Sequence, residues 1–313
     1  MSLDHGPSAS VESGAVLDKA GAENFPVAPF FMPRQMRDGL MAVYGFARLV
    51  DDTGDGDLAD PRATAALLGL PAAGSEASAE PTRIELLNAL ESDLDRAFSS
   101  LLGGTGAEPP RHPLMAALRP VIDRHGLTPE PFRALIQANR VDQYTFRYQT
   151  FDDLMGYCEL SANPVGRLVL QLAGLATAER IRRSDAVCSA LQVIEHLQDV
   201  AEDRAVGRIY LPAEDMARFG VVETDLDAAH ASPALRALVA HEAGRARDLL
   251  DRGAPLVGSV RGRLRLLLAG FVAGGHAALE AISAADNDVL AGAPKPRKSR
   301  LLREAAVTLV KGR

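Results

Sequence analysis

Tryptophan is absent from this 313-residue chain, and only five tyrosines occur. No stretch of useful length alternates between apolar and polar residues, which is the pattern of a half-buried strand. Alanine, leucine, arginine and the acidic residues dominate instead, and this composition favours helix over sheet. Hydrophobic residues make up 47% of the chain and charged residues 24%, which is enough apolar material for a sizeable core. We therefore predict an all-α fold.

Cysteine is also scarce, since Cys158 and Cys188 are the only two. Both fall within apolar helical patterns, which predicts buried thiols in a reducing cytosol and not a disulfide framework. The N-terminus lacks the basic start and the apolar run of a signal peptide. The longest apolar run, 266–275, is too short to span a bilayer. We expect a cytoplasmic protein, and its net charge of -7 argues against a nucleic-acid partner.

The chain is expected to have three parts. Residues 1–20 are small and polar and predict a disordered N-terminus. Residues 21–290 predict one all-α domain around a central cavity, and two helical domains divided near 103–111 are the alternative. The predicted helices cover 34–50, 83–102, 113–125, 129–147, 151–174, 177–205, 233–252 and 256–285, with a short helix inside the irregular stretch 56–82.

Residues 291–313 form the third part, a basic amphipathic tail. From residue 295 onward it has seven lysines and arginines and one acid, Glu304, with apolar residues between them. This pattern predicts peripheral contact with the anionic inner face of a membrane. A solvated tail is an equally weighted alternative.

Two acidic stripes lie in otherwise apolar helical segments. The first acidic stripe consists of Tyr44, Arg48, Asp51 and Asp55, at positions i, i+4, i+7 and i+11. Each of its members falls on one face of a helix. Asp52, between them, points to a different face.

The second acidic stripe repeats this arrangement in the other half of the chain. It consists of Gln192, Glu195, Asp199 and Asp203, at positions i, i+3, i+7 and i+11. Carboxylates spaced in this way repel one another and need a counter-charge. Arginine side chains could supply that charge on a salt-bridged, solvated helix face, and for a single stripe this interpretation is favoured.

Two stripes favour a different interpretation, a Mg²⁺ site. Mg²⁺ takes oxygen ligands and is commonly bound by a few carboxylates together with substrate phosphates. If the two stripes face each other across a bundle, they could hold two or three such ions and, through them, a diphosphate. No Glu-x-x-His motif of a di-iron bundle and no phosphate loop of Walker type occurs in the sequence.

The segment GRIYLP, residues 207–212, closely follows the second stripe. Arg208 and Tyr210 could reach a diphosphate from this position. The alternative is a simple turn into the next helix.

Four segments together identify a family resemblance. They are ENFPVAPFFMP, YGFARLVDDTGD, YCELSANPVGRLVL and LQVIEHLQDVAEDRAVGRIYLP. In this order they resemble the motifs of the squalene/phytoene synthase family over residues 22–290, and within it they are most similar to the hydroxysqualene synthases of bacterial hopanoid pathways. The resemblance implies an all-α isoprenoid synthase fold and Mg²⁺-dependent chemistry on a prenyl diphosphate.

The resemblance also implies roles for individual residues. The metal ligands are Asp51, Asp55, Asp199 and Asp203, joined by Glu195. The diphosphate contacts it implies are Tyr44, Arg48 and Gln192, and the position of Arg208 and Tyr210 after the second stripe adds these two as further candidates. The tunnel residues are Phe25, Gly166 and Leu191, with Gly166 at a helix break. The catalytic pair is Tyr157, close to the reacting cation, and Arg48.

Departures from the family pattern occur in both acidic helices. Glu195 stands where most relatives have an asparagine ligand, and we expect it to bind Mg²⁺ in a more negative site. Gly54 lies inside the first acidic helix, where glycine costs about 1 kcal/mol relative to alanine. We expect the helix to loosen near Asp55.

The expected reaction is the conversion of presqualene diphosphate and water to hydroxysqualene and diphosphate, a carbon–oxygen lyase reaction without NADPH. The nearest alternative is head-to-head prenyl transfer between two farnesyl diphosphates, or phytoene synthesis. A non-catalytic assembly protein and a prenyl-lipid carrier are more distant alternatives. The expected partners are the prenyl diphosphate, the membrane surface and other enzymes of the squalene pathway.

Overall fold

The computed structural model describes residues 14, 19, 27–71, 80–99, 108–294, 304 and 308. The ENFP segment with Phe25, most of the predicted N-terminal part and most of the basic tail lie outside these ranges. The predictions for them therefore remain predictions.

The described ranges are helical. The first helices are α1 (Arg34–Asp55), α2 (Pro61–Leu68), α3 (Arg83–Ser99), α4 (Pro113–His125), α5 (Glu130–Val141), α6 (Phe151–Ser161) and α7 (Asn163–Leu172). The remaining ones are α8 (Ala178–Gln198), α9 (Val200–Ala205), α10 (Ala213–Phe219), a 3-10 helix (Glu223–Asp227), α11 (Pro233–Gly253), α12 (Leu256–Ser259) and α13 (Gly262–Ala284). The only β pairing among the described residues is an isolated bridge between Arg147 and Ile209. The all-α prediction is confirmed.

The chain divides into two compact units. The first comprises Met1–Tyr144 with Leu168–Leu175, and the second comprises Thr145–Arg167 with Ala176–Arg313. The units thus separate after residue 144 and not near 103–111. The single-domain expectation stays a prediction.

In the first unit, α1 packs against α3, α4 and α5. Phe46 of α1 meets Phe132 of α5 edge to face, with ring centroids 5.0 Å apart and both side chains fully buried. Such pairs add about 0.5–1.5 kcal/mol beyond the burial of their area. This packing holds the helix that carries the first acidic stripe.

In the second unit, α8 is the central helix and contacts α6, α11, α12 and α13. Helix α13 is long and apolar enough to cross a membrane, judged by length and composition alone. Most of its apolar window is buried inside the protein, as is usual for a core helix. The helix is longer than the apolar run 266–275 that the sequence displays, because small residues extend its buried face.

Three predicted helices are divided in the structure. The stretch 151–174 breaks at Ala162, before Pro164, which lacks the backbone N–H that a continuing helix would use. The stretch 177–205 breaks at Asp199, and 256–285 breaks between Ser259 and Gly262. Helix α10 and the 3-10 helix lie outside the predicted helical ranges, although a turn into a next helix was the alternative for residues 207–212.

Candidate active site

The first acidic stripe lies on α1 in the first unit. Tyr44, Arg48 and Asp51 are half-buried, while Asp55 is exposed at the last residue of the helix. Helix α1 continues through Gly54 and ends with Gly56 in the left-handed region, at φ 84°. The helix therefore stays regular at Gly54 and ends at Asp55 itself.

The pKa of Asp51, a carboxyl group of this stripe, is strongly shifted. Burial raises its pKa from 3.8 to about 6, against the hydrogen bond that Asn139 Nδ2 donates to Asp51 Oδ1 at 2.9 Å. The negative charge of Asp55 raises the pKa further, and the guanidinium of Arg48 lowers it. A half-buried carboxylate of this kind gains stability when a cation approaches.

Asp52 is held differently from Asp51. Its side chain is almost fully buried and forms ion pairs with Arg48 Nη2 at 2.8 Å and with Lys19 Nζ at 2.9 Å. Arg48, assigned to the diphosphate by the resemblance, thus pairs with a carboxylate one turn along α1. This ion pair holds the guanidinium of Arg48 beside α1, the helix that also carries Asp51.

The second acidic stripe lies in the second unit, where α8 meets α9. Asp199 is the junction residue, with φ -105° and ψ 15°. The amide of Asp199 donates to Glu195 O at 3.0 Å, and the amide of Asp203 donates to Asp199 O at 2.8 Å. The i to i+4 spacing therefore persists through the break. Gln192, Asp199 and Asp203 are half-buried, and Glu195 is exposed.

His196 is a polar member of this region that sequence reasoning missed. Its Nε2 lies 3.1 Å from Gln192 Nε2, and its Nδ1 lies 3.8 Å from Asp203 Oδ2. Burial is the main cause that lowers its pKa below 6.5, although Asp203 opposes the shift. The signal was present, because His196 stands four residues after Gln192 and seven before Asp203.

Aromatic rings surround His196. The imidazole stacks on Tyr210 with centroids 3.6 Å apart and planes 10° apart. Tyr157 lies 5.8 Å from Tyr210 and 6.3 Å from His196, and Tyr148 lies 5.5 Å from Tyr157. Tyr157 and Tyr210, which the sequence assigned separately, thus belong to one cluster. Such electron-rich ring faces attract cations.

Arg208 and Tyr210 lie on an extended segment, not on a simple turn. The amide of Ile209 donates to Phe146 O at 3.0 Å, which pairs residues 207–212 with the segment before α6. A small cavity borders this segment. Its lining residues are His196, Val200, Asp203, Arg208, Ile209, Tyr210, Leu211 and Leu226. Arg208 and Tyr210 therefore share a cavity with Asp203.

Two predicted tunnel residues are described, and both lie at helix contacts. Gly166 lies inside α7, four residues after the break at Ala162, so its expected place at the break is wrong. A Cβ added at Gly166 would come 2.3 Å from Ser184 Oγ of α8. Leu191 of α8 packs beside Gly275, where an added Cβ would lie 3.0 Å from Leu191 Cδ2.

A further polar cluster lies between α10 and α11. Among the described residues, Asp215, His241 and Glu242 are close enough together to share a metal ion. The guanidinium of Arg245 already lies 2.5 Å from Asp215 Oδ2 and 3.2 Å from Glu242 Oε1. A cation of the protein therefore already pairs with both carboxylates. The oxygen-rich acidic stripes, in contrast, have the donor set that suits Mg²⁺.

The comparisons with known proteins agree on one family. The squalene/phytoene synthase model matches residues 18–302. Hydroxysqualene synthase from Rhodopseudomonas palustris is 32% identical over 240 residues, 76% of this chain and 72% of that protein. The hydroxysqualene synthase from Zymomonas mobilis is 36% identical over 233 residues, 74% of this chain and 68% of that protein.

Other relatives in the comparison have different names. Phytoene synthase from Mycobacterium tuberculosis is 30% identical over 244 residues, 77% of this chain and 71% of that protein. Among solved structures, the squalene synthase HpnC from Alicyclobacillus acidocaldarius is 36% identical with a TM-score of 0.73. That match covers 90% of this chain and 97% of the other.

The helical fold and its carboxylate-bearing helices define an isoprenoid synthase, a class whose members are generally metal-dependent. Within that class, the squalene/phytoene synthase model matches residues 18–302. The chain belongs to the squalene/phytoene synthase family.

Proposed function

We propose that this chain is a Mg²⁺-dependent hydroxysqualene synthase, which converts presqualene diphosphate and water to hydroxysqualene and diphosphate. The similarity to two hydroxysqualene synthases, at 32% and 36% identity over about three quarters of the chain, carries this proposal. The two acidic stripes and the aromatic cluster support it, because they supply what ionisation of a prenyl diphosphate requires.

The acidic stripes would hold the metal in this proposal. Their proposed ligands are Asp51, Asp55, Glu195, Asp199 and Asp203. Bound Mg²⁺ would neutralise the diphosphate and make it a better leaving group. Glu195 is exposed and adds a carboxylate where the family resemblance implies an asparagine, so the second stripe would bind a cation at least as strongly.

Polar side chains would bind the diphosphate and direct its departure. Its proposed contacts are Tyr44, Arg48, Gln192, Arg208 and Tyr210. The C–O bond breaks with its electron pair going to the diphosphate, which leaves a cyclopropylcarbinyl cation. The ring of Tyr157 would stabilise this cation while it rearranges. A water oxygen then bonds to the final cation, and the proton released passes to the solvent.

Apolar side chains would exclude other water from the cation. Leu191 and Gly166, together with Phe25, are the proposed tunnel residues, and Leu191 is half-buried beside the core helix α13. A single water molecule that enters the tunnel would then react with the cation and make the product an alcohol. No reductant takes part in this reaction.

Phytoene formation, or head-to-head coupling of two farnesyl diphosphates, is the second candidate. The 30% identity to a phytoene synthase over 77% of the chain favours it. Both candidates would begin with ionisation of a prenyl diphosphate, so the same carboxylates would serve either. They differ in the substrate consumed.

Mass spectrometry of the products decides between the two. The purified protein is incubated with Mg²⁺ and either presqualene diphosphate or a linear prenyl diphosphate, with and without NADPH. We expect hydroxysqualene from presqualene diphosphate and no effect of NADPH. Consumption of a linear diphosphate with presqualene diphosphate untouched would refute the proposal.

The variants Asp199→Asn and Asp203→Asn test whether the stripe is catalytic. Each should lower kcat/KM at least 100-fold, because a metal ligand loses its charge. Asp38→Asn is the control, since Asp38 is an exposed carboxylate on α1 outside both stripes. Wild-type function of Asp199→Asn in cells would favour the non-catalytic assembly protein.

We further propose that the protein acts in the cytoplasm, with peripheral contact to the inner face of the membrane through its basic tail. The seven basic residues from 295 onward support this contact. The proposed substrate and product both carry long hydrocarbon chains, so other squalene-pathway enzymes at the same membrane are its proposed partners.

A further inference from the structure

We infer that Asn139 is a positioning residue that orients the Asp51 carboxylate for metal binding, and that residue 54 is glycine in order to admit it. This inference rests on the proposed function, in which Asp51 binds Mg²⁺. The three residues belong to the first unit and join α5 to the end of α1.

Asn139 is a buried amide with both of its donor hydrogens directed to acceptors. Its side chain lies on α5, and its Nδ2 donates to Asp51 Oδ1 at 2.9 Å and to Leu135 O at 3.2 Å. Both partners are acceptors, so they determine which end of the amide is nitrogen. With Nδ2 directed at Asp51, the Oδ1 atom of Asn139 lies on the other side of the amide group.

That oxygen lies against Gly54. A Cβ built at residue 54 would come 2.0 Å from Asn139 Oδ1, 2.8 Å from Cγ and 3.0 Å from Cβ. Gly54 is not among the residues with positive φ, so its backbone conformation does not require glycine. Glycine in a helix costs about 1 kcal/mol relative to alanine. The contact with Asn139 explains why residue 54 is glycine despite this cost.

Gln143 strengthens the same junction. Its Nε2 donates to Gly54 O at 3.0 Å and to Asn139 O at 2.8 Å, and Arg83 Nη1 donates to Gly54 O at 3.2 Å. The last carbonyls of a helix have no partner within it, and here side chains supply one. The backbone carbonyl of Gly54 and the Asn139 side chain that contacts Asp51 are thus held in one hydrogen-bonded junction.

The choice of an amide has a consequence for charge. Asp52, the neighbouring carboxylate, is paired with the cations of Arg48 and Lys19. Asp51 instead receives a hydrogen bond from a neutral donor, which orients one oxygen without adding a positive charge beside it. A carboxylate held in this way keeps its attraction for Mg²⁺. Groups that orient metal ligands typically contribute 10–100-fold to metal affinity or activity.

A double-mutant cycle tests the inference, with Asn139→Ala, Gly54→Ala and the combined variant. Thermal unfolding reports the packing. The Mg²⁺ concentration for half-maximal turnover, and Mn²⁺ binding measured by electron paramagnetic resonance with inorganic pyrophosphate, report the metal site. Asn139→Leu is a shape-matched control that keeps the branched side chain and removes the donor.

The expected results separate packing from positioning. Gly54→Ala should lower the unfolding temperature, because the new methyl group collides with Asn139, and the combined variant should recover most of that loss. Each variant that lacks the amide, Asn139→Leu included, should need about 10–100-fold more Mg²⁺ and bind Mn²⁺ more weakly. If the combined variant regains its unfolding temperature but still binds the metal weakly, Asn139 acts on the metal site by positioning Asp51 and not only by packing.

Two results would overturn the inference. A Mg²⁺-dependent wild-type protein whose Asn139→Ala and Asn139→Leu variants have unchanged Mg²⁺ requirement and Mn²⁺ affinity would refute it and leave the proposed function intact. A wild-type protein that turns over without Mg²⁺ and binds no Mn²⁺ would refute the proposed function, and the inference with it.

Discussion

The imidazole of His196 lies flat against the ring of Tyr210, with the two centroids 3.6 Å apart. The ring nitrogens of His196 face Gln192 on one side and Asp203 on the other. Burial lowers the pKa of His196, which favours a neutral ring. A neutral ring can accept from the amide of Gln192 with Nε2 and direct its Nδ1 hydrogen toward Asp203.

His196→Phe should keep the stack on Tyr210 and lose both polar contacts. We expect kcat/KM to fall about 10–100-fold with little change in unfolding temperature, because Gln192 and Asp203 lose a common partner. Steady-state kinetics and thermal unfolding check this. Tyr210→Leu is the complementary variant, which removes the stack. Wild-type kinetics for His196→Phe would show that the polar contacts are incidental.

Asp51→Asn should stabilise the metal-free protein at neutral pH and reduce its activity. Folding raises the pKa of Asp51 from 3.8 to about 6, so the folded state keeps a proton that the unfolded state has lost in that window. Stability therefore falls as pH rises from about 4 to 6 and stays lower above it. The side chain of the Asp51→Asn variant does not ionise, so the variant avoids this loss of stability. We expect the difference to be about 1 kcal/mol for a half-buried group.

Thermal unfolding of the metal-free protein at pH 4 and pH 7 measures this effect. The stabilisation by Asp51→Asn should be present at pH 7 and absent at pH 4. Asp38→Asn, an exposed site on the same helix, should show no such difference. An Asp51→Asn protein that is less stable than wild type at pH 7 would contradict the burial argument.

Arg245→Met should strongly destabilise the second unit. Asp215 and Glu242 are buried and both pair with Arg245, whose guanidinium also lies 4.5 Å above the ring of Phe151. Removing a counter-charge that both carboxylates of a buried pair share costs about 3–5 kcal/mol. Denaturant unfolding measures this loss, and Arg247→Met at an exposed position of the same helix is the control.

The pH dependence of Arg245→Met gives a second test. Burial raises the pKa of Glu242 from 4.5 to about 7 even with Arg245 present. Without the arginine, protonation of Glu242 should relieve part of the cost, so the deficit should be smaller at pH 5 than at pH 8. A deficit that is equal at both values would mean that packing and not charge is responsible.

Gly166→Ala should destabilise the contact between α7 and α8. The added methyl group would meet Ser184 Oγ at 2.3 Å and Cys188 Sγ at 2.6 Å, and overpacking of this kind costs about 1–3 kcal/mol. Gly156→Ala is the matched control, because an added Cβ there meets nothing within 4 Å. That control should stabilise the protein by about 0.5–1 kcal/mol. Equal unfolding temperatures for the two variants would refute the close approach.

Local periodicity explains what sequence reasoning found. The spacing of Asp51 and Asp55, and of Glu195 and Asp199, places each set on one helix face whatever surrounds it. Gly56 and Gly126 similarly mark helix ends, because each has a positive φ that other residues rarely adopt. The family motifs added the expected chemistry to these local patterns.

Non-local contacts explain what sequence reasoning missed. Asn139 is 88 residues from Asp51, and nothing in either local pattern connects them. From the sequence alone Gly54 is only an unfavourable residue in a helix, because its contact with Asn139 is not local. The stacking partner of His196, Tyr210, lies on a separate extended segment, so the local pattern of the helix does not reveal the pair.

The sequence by itself thus determined the helical class, the two acidic stripes and the family, because these depend on short-range spacing and on ordered motifs. Only the tertiary structure decided which carboxylate receives a neutral hydrogen bond and which receives cations, as for Asp51 and Asp52. It also decided where the helices break, at Ala162 and Asp199. The physical reason is that burial, pKa and packing depend on neighbours that the chain brings together only by folding.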